Sequence, residues 1–139
     1  MEKVEELRDS ELFCDRVSGF LYELLNYGYN YNEAWNLLLA SKEGMGILNR
    51  DYTYFIHFQG RASADKVLQN LGKNLEDSKN IKIDVIQLKL LTNLIYMANK
   101  EYGIPFSDMF NKTELEKFIK KCGVVLGNYD DKLIKTYLL

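Results

Sequence analysis

The sequence predicts an all-α fold, a compact helical bundle built from two similar four-helix units. Apolar residues recur at helical spacing along most of the chain, and no stretch of any length alternates as a strand does. A single proline, Pro105, interrupts the whole. The 139 residues are read as one domain, 1–139, with internal repeat units near 11–72 and 82–139.

Helices are expected over 11–27, 32–41, 45–58, 62–71, 82–102, 106–111, 113–123 and 129–138. In the first, Phe13, Val17, Phe20, Leu21 and Leu24 follow the i, i+4, i+7, i+8, i+11 spacing of one buried face. Tyr27 ends it and Gly28 turns the chain. Asn32 is expected to cap the second, with Glu33 in its first turn and Trp35 facing inward. Tyr31, just before that cap, can staple the turn to the helix. Leu48, Tyr52, Phe55 and Ile56 form the apolar face of the third. Ser63 is the expected cap of the fourth. Gly28, Gly60, Gly72, Gly103 and Gly127 each follow a periodic run, where a C-terminal stop belongs. The polar "GKNLEDSKN", 72–80, reads as the linker between halves.

From Ile83 to Ala98 the chain is apolar almost all round, which predicts a central or partner-covered helix. Ser107 is a plausible cap of the short helix that follows, and Thr113 with Glu116 forms a capping box. Leu115, Phe118, Ile119 and Cys122 share one face, leaving Lys117, Lys120 and Lys121 to solvent.

The two halves resemble each other. "YGYNYNEAW", 27–35, aligns without a gap on "YGIPFSDMF", 102–110. Tyr27 meets Tyr102, Gly28 meets Gly103, Tyr29 meets Ile104 and Tyr31 meets Phe106. Asn32, Glu33 and Trp35 meet Ser107, Asp108 and Phe110. "DKVLQNL" from Asp65 resembles "DKLIKTYL" from Asp131. A tandem duplication is the expectation, with the two long helices paired at the centre.

Composition narrows function by exclusion. The chain is 47% hydrophobic and 27% charged, in the range of folded globular proteins. Net charge is -2, with no broad pull toward nucleic acid or anionic lipid. The lysines of the last third are interleaved with Glu114, Glu116, Asp130 and Asp131, so nucleic-acid binding is disfavoured. No apolar run approaches the roughly 18 residues of a membrane span. The opening "MEKVEELRDSE" has no signal core, and a cytoplasmic location is expected. Cys14 and Cys122 lack metal or redox spacing and read as buried thiols.

No reaction can be read from the residues. His57 is the single histidine, so one chain builds neither a triad nor a two-histidine metal site. Within "YFIHFQ" it reads as a structural histidine, bonded to backbone or to a tyrosine. "GMGILN", 44–49, begins like a dinucleotide fingerprint, but no strand precedes it and Asn49 stands at the third glycine position. No catalytic residue, metal site or cofactor is expected.

The order of "NEAWNLL", "RDYTYFIHF" and "ADKVLQNL" resembles the bacterial family of unknown function DUF3791. That family's pattern is a long apolar helix, a short helix with an acidic residue and an aromatic, a tyrosine followed by a histidine, and a final amphipathic helix. The first half carries Tyr52, Tyr54 and His57; the second departs, with Gly127 near the histidine position. Histidine chemistry shared by both halves is thereby ruled out. The resemblance implies a partner-binding or neutralising role, with an ADP-ribosyltransferase-like protein as the partner it suggests.

Ten tyrosines and one tryptophan in so short a chain favour an interaction surface. The expected function is a non-enzymatic protein-binding module: an antitoxin, inhibitor or adaptor. Tyr29, Tyr31, Tyr52 and Tyr54 are the expected partner-binding residues. The alternatives are a small ligand-binding protein or enzyme with a pocket formed by Tyr31, Glu33, Trp35 and His57, or a nucleic-acid-binding regulator.

Overall fold

The structure, a computed structural model, describes residues 2–72 and 85–108. Its elements are α1 (Glu2–Asn26), α2 (Tyr31–Ala40), α3 (Lys42–Leu48), a π-helical turn (Tyr52–His57), α4 (Gly60–Asn70), α5 (Val85–Tyr102) and a 3₁₀ turn (Phe106–Asp108). Among the described residues there is no strand. The chain forms two compact units, Met1–Ile83 and Asp84–Leu139. The expected helices at 113–123 and 129–138, the Thr113–Glu116 box, Phe110, Cys122, Gly127 and most of the linker lie outside the described residues.

In the first unit the core gathers on α1. Phe13, Val17, Phe20, Leu21 and Leu24 are fully buried, as their spacing predicts. The helix begins at Glu2 rather than near 11. Its first two turns carry the charged "EKVEELR", rich in good helix formers that an apolar-face criterion passes over.

Packing of α4 on α1 is the main contact of this unit, and Gly60 sets its closeness. A methyl group at Gly60 would strike the Arg16 carbonyl oxygen and lie 2.7 Å from the Phe20 amide nitrogen. Gly60 therefore opens α4 instead of closing the helix before it, which corrects the expected stop. Ser63, expected to cap α4, is buried inside it, and Gln59 occupies the cap position without a side-chain bond. Behind Gly60, Ser63, Ala64, Val67 and Leu68 complete the buried face.

The α1–α2 joint forms as predicted, with one correction. Gly28 has φ 101°, and the bonds Gly28 N to Leu25 O (3.0 Å) and Tyr29 N to Leu24 O (3.1 Å) complete a Schellman stop. The cap of α2 is Asn30, not Asn32. Asn30 Oδ1 accepts from the Glu33 amide at 2.8 Å, and the Asn30 amide donates to Glu33 Oε1 at 3.0 Å. Of the two asparagines, only Asn30 has a glutamate three residues on, so only it can form the reciprocal box. Trp35 is 2% exposed, on the inner face as expected.

In the second unit, α5 buries Leu88, Leu91, Thr92, Leu94, Ile95, Tyr96 and Ala98. It leaves Lys89, Lys100 and Glu101 exposed. Gly103, at φ 66°, ends it with a bond from its amide to Asn99 O at 3.1 Å. Three residues after each of these glycines the next helical turn begins, at Tyr31 and at Phe106.

Candidate functional site

The expected continuous helix over 45–58 does not form. It breaks at Asn49–Arg50–Asp51 and resumes as the π-helical turn. Arg50 is the one non-glycine residue with positive φ among those described, at 55°. That conformation costs a branched or long side chain roughly 1–2 kcal/mol. Asp51 then starts the turn, its side chain accepting from the Thr53 amide at 2.9 Å. The Phe58 amide reaches back five residues to Thr53 O at 3.1 Å and closes it.

Side chains from α1 hold the break in place. Arg50 donates from Nε and Nη2 to the two Asp9 oxygens at 3.0 Å each, and from Nη1 to Leu48 O at 2.9 Å. Its guanidinium also lies 5.1 Å from the Phe13 ring centre and 5.8 Å from that of Phe55. This bidentate, stacked geometry is specific to arginine. Arg16 serves the other end: its Nε donates to Phe55 O at 2.8 Å and Nη2 to Ile56 O at 3.4 Å. These are carbonyls of the last turn, which a helix cannot satisfy itself.

The turn is anchored by buried Phe55 and presents what surrounds it. Tyr52 is 66% and Ile56 48% exposed, although the α-helical pattern put both on the buried face. The break and the wider π repeat account for the difference: Leu48 and Phe55 remain inside, and Tyr52 and Ile56 rotate out. Five residues after Tyr52, one π-turn on, the His57 ring lies with its centre 5.4 Å away. His57 is exposed, its ring set between those of Tyr52 and Phe58. Met45, on the adjoining α3, is exposed as well.

Tyr54 turns the other way. It is half-buried, stacked on Phe58 at 6.2 Å, and its ring covers Gly46, where a methyl group would meet it. Gly44 similarly lets α3 approach the Leu38 backbone. Both glycines of "GMGILN" are thus packing positions within a helix and not a phosphate loop.

The four expected contact tyrosines therefore divide. Tyr52 is presented and Tyr54 is largely spent on packing. Tyr29 is half-buried at the α1–α2 joint, and the side chain of Tyr31 lies outside the described set. For the pocket alternative, Glu33 is committed to the Asn30 cap, Trp35 is buried and His57 is exposed on a different element. What sequence reasoning missed is the pair of arginines behind the turn. Asp51 before Tyr52, a capping residue after an asparagine turn, was the local signal for the break.

Charge is also concentrated on the α1–α4 seam. Glu23 is 3% exposed, and Arg61 Nε donates to its Oε2 at 2.8 Å from a largely exposed side chain. That bond, with the Glu23 charge, makes the Arg61 guanidinium hold its proton more firmly. Burial, then the Glu23 charge, push the Asp65 carboxyl above its ordinary value, with Arg61 opposing. Among the described residues, no group of three or more His, Cys, Asp or Glu could hold a metal ion, and no helix is long and apolar enough to cross a membrane.

Comparisons with protein-family models, with curated proteins and with solved structures each find no match to the chain.

Proposed function

We propose that the chain is a non-enzymatic protein-binding module, of the antitoxin, inhibitor or adaptor kind, and that it presents the π-helical turn to its partner. The observation that carries this reading is the contrast within the turn. Tyr52 and Ile56 stand 66% and 48% exposed, while the backbone beneath them is fixed by Phe55, Arg16 and Arg50. An exposed aromatic and an exposed aliphatic on a pre-ordered backbone lose little entropy on binding. A left-handed arginine and a π-turn in adjoining positions are local costs of the sort that functional segments retain. Tyr29, half-buried at the other joint, is a weaker candidate for the rim of a contact.

The test is affinity purification from the native host with wild type and a Tyr52→Ser/Ile56→Ser double variant. The expected result is a stoichiometric protein that accompanies wild type and is lost from the variant, while both melt at similar temperatures. Equal recovery of that protein by both would remove the turn as the contact. A thermal shift with a small molecule and no protein partner would support the ligand-binding alternative instead.

A further inference from the structure

The α1–α4 seam holds an arrangement that docking at the turn does not use. Glu23, from α1, is almost wholly buried and accepts from Arg61 at 2.8 Å. Asp65 follows Arg61 by one turn of α4, on the same side of the helix. Asp65 Oδ1 is itself buried and receives no hydrogen bond. The Arg61 guanidinium is hydrogen-bonded to Glu23 and acts on Asp65 through its charge. A buried anionic oxygen without a donor is a costly state, and a proton removes the charge that makes it so.

We propose that Glu23, Arg61 and Asp65 form a proton-sensitive lock on the α1–α4 seam, tightened when Asp65 takes a proton from solvent and loosened when it releases it. The groups that bear on Asp65 are Glu23 of α1 and Arg61 of α4. Tyr22 of α1 acts on Arg61. On α3, which also packs against α4, the buried carboxylate is Glu43, paired with Asn70 at the far end of the helix (3.2 Å). Lys66, next in sequence, lies over the Phe58 ring at 4.1 Å. Burial and the Glu23 charge both favour the protonated acid. A raised carboxyl contributes its stability fully below the ordinary aspartate value of about 3.9 and loses it as pH rises through the raised value. The lock lies just beyond Gly60 on α4, where that helix comes against the α1 backbone.

The experiment uses the full chain. Carbon-detected NMR follows the Asp65 carboxyl against pH in wild type and in Glu23→Gln, and melting temperature is recorded against pH for wild type and Asp65→Asn. The Asp65 midpoint is expected above about 3.9 and should fall toward it in Glu23→Gln. Asp65→Asn should melt above wild type at neutral pH, with the gap closing as pH falls below about 3.9. A midpoint at or below that value, or a gap that does not change with pH, overturns the lock.

Discussion

Trp35 and Tyr29 sit six residues apart and have opposite fates. Trp35 is 2% exposed, so Trp35→Ala removes a large buried ring and should cost about 3–5 kcal/mol by chemical denaturation. Tyr29 is half-buried, and what it gives the Schellman stop is its backbone amide. Tyr29→Ala keeps that bond and should leave the melting temperature nearly unchanged; a loss comparable to that of Trp35→Ala would mean the ring is core. Arg50 is the residue the sequence made least conspicuous. Its fork on Asp9 is partly buried, and a double-mutant cycle with Asp9→Ala and Arg50→Ala should give a coupling of about 1 kcal/mol. Arg50→Lys should recover little of it, since an ammonium cannot bridge both oxygens or stack between Phe13 and Phe55. Additive single changes would show the pair to be incidental.

At the scale of elements, the apolar period reported α1 well because its face is long and regular. The same rule failed over 45–58. There Leu48, Tyr52, Phe55 and Ile56 satisfy an α-helical face, yet two of the four are exposed. Periodicity reports which residues are apolar, and it cannot register a change of pitch after a break. The break depends on side chains more than thirty positions away, Asp9 and Arg16, which no local window contains. Caps were legible only where the whole motif was weighed: Asn30 with Glu33 forms a box, whereas Asn32 and Ser63 matched by residue type alone. Gly60 gave a signal of the wrong kind. It reads as a helix stop, but what it provides is the close approach of α4 to α1. Gly60→Ala should therefore destabilise the fold by about 1–3 kcal/mol, although alanine is the better helix former. A neutral or stabilising result in a denaturation series would show that the two helices can part without cost.

For the whole molecule, helical class follows from periodicity and the scarcity of proline, and a far-UV spectrum should show helix with no strand component. Two local structures repeat across the units: a left-handed glycine at the end of a long helix, and a new helical turn three residues on. Of the candidate site, only the excess of tyrosine was legible. An excess of tyrosine favoured a contact surface, but which tyrosine faces outward depended on the turn. On the proposed function, Tyr52 and Ile56 serve binding and not folding. Side-by-side purification of wild type and Tyr52→Ser/Ile56→Ser from the native host, each paired with its melting curve, tests it most directly. An unchanged melt with loss of the accompanying protein is expected; a lowered melt, or a partner retained in full, would show that the two side chains do not serve binding alone.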